Sequence, residues 1–135
     1  KGNYINTDER IFLENILKYK FKSSKASLNP KVKMVNSPFA QFDQAEFDFY
    51  DKPNKISYYL ESTDAIEPAG AGAVTVCRYA GTNLSAGVAY SGNYKVCSFG
   101  FPFETIQSEK ERNRLMESVL NFFNIKNMKL SNTKK

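Results

Sequence analysis

The chain contains no histidine. That absence removes every Ser-His and Cys-His nucleophile arrangement, and every His-containing metal site, from within these residues. Cysteine is nearly absent too: Cys77 and Cys97 are the only two, too few for a zinc site without histidine. Both lie inside apolar strand-like runs, VTVCRYA and YKVCSFG, where a free cysteine acts as a small hydrophobe. A disulfide between them requires those two strands to be neighbours, and two cysteines leave the redox compartment open. No run approaches the ~20 apolar residues of a membrane span. The opening KGNYINTDER has no apolar signal-peptide core, so any secretion signal is expected to have been removed or to lie upstream.

Charge is the first positive feature. The net value of +5 invites a nucleic-acid reading, but the positions argue otherwise. Lys126, Lys129, Lys134 and Lys135 fall in a polar tail. Lys18, Lys20, Lys22 and Lys25 trail off the end of a predicted helix, where cations complement the dipole without any ligand. No nucleic-acid motif accompanies them, so no specific nucleic-acid partner is expected. With 135 residues, 41% of them hydrophobic, the chain is long enough for one domain. That domain is placed at residues 1–124, with a polar tail over 125–135.

Asn6, Thr7 and Asp8 offer N-cap side chains, and Phe12, Leu13, Ile16 and Leu17 recur at helical spacing. A surface helix packed on a sheet is predicted from about Glu9 to Tyr19, dissolving in FKSSKAS. Across residues 31–61, Val32 and Met34 alternate with lysines, Phe47 and Phe49 with acids, and Ile56, Tyr58 and Leu60 with polar or aromatic neighbours. Period two, broken at Ser37-Pro38 and Asp51-Lys52-Pro53-Asn54, reads as short strands and a hairpin. In FDQAEFDFYD, aromatics interleaved with carboxylates can make a sugar-stacking surface. A half-buried strand gives the same pattern and is the expectation.

Gly70 and Gly72 hint at a phosphate loop, but a strand-like Val74-Thr75-Val76 follows where the motif needs a helix. Three β-like segments then succeed one another, AVTVCRYA, AGVAYS and YKVCSFG, with turns at Gly81-Thr82-Asn83 and Gly92-Asn93. If the first is regular, Arg78 shares a face with Val74 and Val76 and needs an acidic or carbonyl partner there. Asp64, Glu67 and Glu104 are the candidates, and a structural pair is favoured over a substrate anchor. After the last strand, Pro102 forces an extended or turned exit. Ser108 and Glu111 form a capping box, and Leu115, Met116, Val119, Leu120 and Phe123 make a helical stripe. Strand, turn and helix in that order suggest an α/β unit whose site lies beyond the strand end, at Phe101 to Thr105.

These residues resemble a known family. SGNYKVCSFGFPFETI followed by ERNRLMESVLNFF is similar to the closing strand and last helix of class I glutamine-amidotransferase-like domains. More narrowly, it resembles the C-terminal region of secreted bacterial proteins labelled xanthan lyase. TDAIEPAGAGAVTVCRYAGTNLSAGVAYSG fits the same region, and KGNYINTDERIFLENIL resembles the middle of such a domain. The resemblance implies an α/β fold: a partly parallel sheet flanked by helices, flavodoxin-like, with antiparallel hairpin excursions over 31–61 and 74–91. Only the C-terminal half of that domain would be present, leaving a sheet edge to be covered by an upstream half or another subunit. Active members carry a His-x-Glu pair after the final strand; here Glu104 stands for the acid and no histidine accompanies it. Neither cysteine sits on the strand-to-helix elbow that the family's nucleophile occupies, so no triad can be assembled.

The expectation is therefore a non-catalytic accessory or assembly domain of a secreted, periplasmic or cell-surface polysaccharide-processing protein, with no catalytic residue, metal or cofactor. The alternative is a carbohydrate-active enzyme or a carbohydrate-binding module. Its ligand-binding candidates are Glu104, Arg78, Asp64, Tyr79 and Tyr90.

Overall fold

The structure is a computed structural model and describes residues 7–35, 46–50, 52 and 63–123. Helix α1 spans Thr7–Asn15, with Asp8 and Glu9 in its first turn, where negative charge offsets the helix dipole. It ends earlier than Tyr19 because the Ile16 and Leu17 amides both donate to Phe12 O, and Lys18 takes the left-handed conformation at φ 66°. That reversal starts strand β1, Tyr19–Ser24, where the sequence had suggested the helix dissolving into coil. Lys20 and Lys22 point to solvent while Tyr19 and Phe21 are half-buried, the alternation of a strand with one wet face.

Strand β1 pairs antiparallel with β4, Asp64–Pro68, placing Lys20 opposite Glu67. A second sheet has the order β3-β2-β5-β6-β7. Its strands are β2 (Lys31–Met34), β3 (Glu46–Asp48), β5 (Ala73–Tyr79), β6 (Ser85–Ser91) and β7 (Lys95–Phe99). It curls into a half-barrel. A short 3-10 turn at Phe103–Thr105 then leads to α2, Glu109–Phe122.

Every strand pairing among the described residues is antiparallel. The expected partly parallel, flavodoxin-like α/β sheet flanked by helices is therefore not the fold of this chain. The physical reason is connection length. Parallel neighbours need a crossover of a dozen residues or more, usually a helix. Here β5, β6 and β7 follow one another through turns of a few residues, and both helices lie outside the run of strands, one before it and one after. The hairpins themselves form where expected. Asn83 adopts φ 64° in the first turn. Gly92 sits in the second, where a Cβ would crowd the far end of the Tyr90 ring.

The core gathers where the sheet curls. Phe101 is its centre, with ring centroids 5.6 Å from Phe99, 6.1 Å from Phe47 and Phe49, and 6.4 Å from Tyr79. Val32 and Met34 are buried and their lysine neighbours are not; Phe47 and Phe49 likewise belong to the core, as the half-buried-strand reading requires. Helix α2 is capped by Ser108, whose Oγ accepts from Glu111 N at 3.1 Å. Its buried face is Leu115, Ser118 and Phe122, with Val119 and Phe123 packed beside it. Met116, expected in the stripe, is 41% exposed. Gly70 and Gly72 turn the chain into β5, not into a helix. Ile56, Tyr58, Leu60 and the 125–135 tail lie outside the described residues.

Candidate functional site

The sequence candidates do not converge. Arg78 and Tyr90 stand at opposite ends of the β5–β6 ladder, paired with Ser85 and Ala73 respectively. The five-residue step along β6 separates them by about 17 Å. Arg78 does not point inward either. Register shifts on both sides of Cys77 break the alternation, so Val76, Cys77 and Tyr79 are buried while Arg78 is half-exposed. Its Nη1 donates to Asn83 O at 3.0 Å across the hairpin turn. The described ion pairs are Lys22–Glu67, Lys31–Asp48 and Arg114–Glu111; none of them joins Arg78 to Asp64, Glu67 or Glu104. Glu104 is exposed on the 3-10 turn.

Tyr79 and Asp64 do meet, as a structural device. Tyr79 OH donates to the Asp64 carbonyl at 2.7 Å, and Asp64 N donates to Gly100 O at 3.0 Å. The contact ties β4 to the end of β7 beside a fully buried phenol. Burial, then the nearby Cys77 and Asp64 charges, push the Tyr79 hydroxyl well above its ordinary range. Burial likewise raises Cys77, with Cys97 adding to it, and pushes Cys97 up to about 12. Both thiols are free. Strand β6 lies between them, and two strand spacings of ~4.8 Å put the backbones beyond disulfide reach. Nucleophilic cysteines need the opposite environment, one that favours thiolate. No group of three or more His, Cys, Asp or Glu suited to a metal ion occurs among the described residues, nor any helix long and apolar enough to cross a membrane.

Tyr90 belongs to a surface cluster. Its ring lies 5.0 Å from that of Tyr94, and Lys18 Nζ sits 4.8 Å from its centroid. Tyr94 OH donates to Asn15 O at 3.1 Å and Ile16 O at 2.8 Å, filling acceptors that a helix C-terminus leaves open. The next residue repeats this on the other helix: Lys95 Nζ donates to Phe122 O at 2.9 Å. One hairpin end thus fastens the C-termini of both helices. Tyr94 was not among the sequence candidates, because only the fold brings it within reach of residues nearly eighty positions away.

What that tether holds up is an uncovered apolar surface. No residue of α1 is buried, contrary to the expected helix packed on a sheet. Ile11 is 49%, Phe12 51% and Ile16 48% exposed. At ~100° per residue, Phe12 lies roughly 100° round α1 from Leu13 and Ile11 a further 100° beyond, while Ile16 and Leu17 fall just past the helix end. Asp8 and Glu9 fall on the same outer side, one turn nearer the N-terminus. An open groove of about 450 Å³ is lined by Asp8, Glu9, Phe12 and Leu13. The sequence carried the signal: apolar positions at 11, 12, 13, 16 and 17 wrap an arc too wide for one packing face. Such a patch can dock another surface; it supplies no reacting group. Compared with protein-family models, curated proteins and solved structures, the chain matches none.

Proposed function

We propose that this chain is a non-catalytic accessory or assembly domain that works by docking a protein surface on α1. The observation that carries the reading is the group of Ile11 and Phe12 on α1 and Ile16 just past its end, each about half exposed, beside a helix with no buried residue. Large apolar side chains grouped on one surface and rimmed by charge mark interaction sites. The chemistry elsewhere agrees. Burial of Tyr79 and Cys77, and partial burial of Cys97, holds all three groups above their ordinary titration ranges. The setting, a secreted or cell-surface polysaccharide-processing protein, is supported by the resemblance of residues 2–123 alone.

The alternative of a sugar-binding module has Tyr90 as its best ring. Tyr90 already has Lys18 on its face and Tyr94 against it, and the Tyr94 hydroxyl is committed to α1. Docking on α1 is therefore the better-supported reading. The test is incubation with a panel of acidic and neutral polysaccharides, monitored for new reducing ends, unsaturated products and retained glycan. The proposal expects none of the three. Turnover of any polymer would show an enzyme, and saturable retention lost in Tyr90→Ala would show a sugar-binding module.

A further inference from the structure

The groove on α1 is built from two matched rows. Asp8 stands one turn before Phe12, and Glu9 one turn before Leu13, and these four residues line it. At ~100° per residue they occupy an arc of about 140°, and Arg10, the cation of α1, falls about 130° round from the middle of that arc. The groove is therefore acidic at one end and apolar at the other. The helix dipole offsets only about half a charge at its N-terminus, so the two carboxylates exceed what it balances. We propose that the partner docked on α1 is a basic amphipathic helix supplied by another protein. Its apolar side chains sit on Phe12 and Leu13, and a Lys or Arg one turn away meets Asp8 and Glu9. The inference rests on the assembly reading above and names its partner.

Width and sign select this occupant. The groove is two rows wide. A helix presents a stripe of that width through its i, i+3 and i+4 positions, whereas one face of a strand presents a single row. Helices dock in apolar grooves by such anchors. The nine residues of α1 make it about 14 Å long, so the occupant engages two to three turns. The acids decide against the alternatives. An anionic lipid surface or an acidic segment would bring like charge against Asp8 and Glu9, and like-charge juxtaposition is how wrong partners are rejected. Both carboxylates are exposed, so their contacts are individually weak and screened by salt. Association is reversible, with the apolar seat supplying most of it and the acids supplying its selectivity.

A pair of peptides tests this directly. Fluorescence anisotropy is followed for two labelled amphipathic helical peptides of equal length, one Lys/Leu and one Glu/Leu, as the protein is added. Wild type, Asp8→Asn/Glu9→Gln and Phe12→Asp are compared, and circular dichroism confirms that each is folded. Two exposed acid–cation contacts give the wild type a preference of about tenfold for the Lys/Leu peptide. Asp8→Asn/Glu9→Gln should bring the two peptides within about threefold of each other. Phe12→Asp should abolish binding although it adds a third carboxylate, because the apolar seat is gone. Equal binding of both peptides, or preference for Glu/Leu, when lost in Phe12→Asp, overturns the basic partner and retains docking on α1. Binding of neither peptide, or binding that survives Phe12→Asp, defeats the two together. Sedimentation and phosphatidylglycerol vesicles complete the set: self-association or vesicle binding lost in Phe12→Asp would put a second copy or a membrane in the partner's place.

Discussion

Gly100→Ala probes the point where β4 closes against the end of β7. A Cβ at Gly100 would overlap the Asp64 carbonyl oxygen and lie 2.9 Å from the Tyr79 hydroxyl. Neither neighbour can step aside freely. Asp64 is held by its amide bond to Gly100 O and by the Tyr79 hydroxyl on its carbonyl, and Gly100 N is held to Ala86 O at 2.8 Å. Relief of the overlap must therefore stretch at least one of these bonds. Overpacking of this kind costs about 1–3 kcal/mol, and each buried hydrogen bond given up adds about 1 kcal/mol. The loss of unfolded-chain freedom on replacing glycine returns only ~0.4–1 kcal/mol. The net loss is about 2 kcal/mol, a large share of the ~5–15 kcal/mol by which domains are stable. In urea, with a slope near 2 kcal/mol/M, the midpoint should fall by roughly 1 M. A fall of less than ~0.3 M would falsify the claim that Gly100 is required for close approach.

Three further outcomes follow from the same contacts. Tyr94→Phe removes the hydroxyl that fastens the end of α1; losing ~1 kcal/mol there should speed amide exchange in residues 10–16 about fivefold, leaving α2 unchanged. Among the described residues, Ser118 Oγ is buried without a hydrogen-bond partner, so Ser118→Ala should stabilise the protein by about 1 kcal/mol in a urea melt; destabilisation would show that the hydroxyl has a partner. The Cys97 thiol is raised from 9.0 to about 12 in the folded chain. Its contribution to stability is thus complete below the unfolded value and is lost as pH rises between about 9 and 12. Wild type should lose more stability over that window than Cys97→Ala, and iodoacetamide at neutral pH should label neither cysteine until the protein unfolds.

Much of the local structure was written in the residues. The Ser108 cap, the half-buried pattern of Val32/Met34 and Phe47/Phe49, and the two turns of β5–β6–β7 all rest on spacing or turn chemistry within a few positions. Strand direction does not. Period two reports which face a side chain takes and nothing about the neighbour's polarity, so a strand–turn–helix unit suggested a parallel sheet where short connections impose an antiparallel one. Alternation in YKFKSS was legible, but lysines after a helix resemble a fraying end equally well. Arg78 was misplaced because register shifts around Cys77 rotate the strand, and a bulge leaves no mark in periodicity. The stripe on α2 slipped toward Met116 because Ser118, a small polar residue, occupies a buried position. The tethers of Tyr94 to Ile16 and Tyr79 to Asp64 are set by the fold, beyond the reach of local pattern.

The central claim is that the outer face of α1 is a docking surface, and its most direct test is a residue-by-residue map. Amide and side-chain methyl chemical shifts should be followed as a synthetic Lys/Leu amphipathic helical peptide is titrated into the protein. The account predicts saturable changes concentrated at residues 8–16, and absent from Phe12→Asp. Shifts that stay constant, or that gather instead around Tyr90 or on β3, would contradict it.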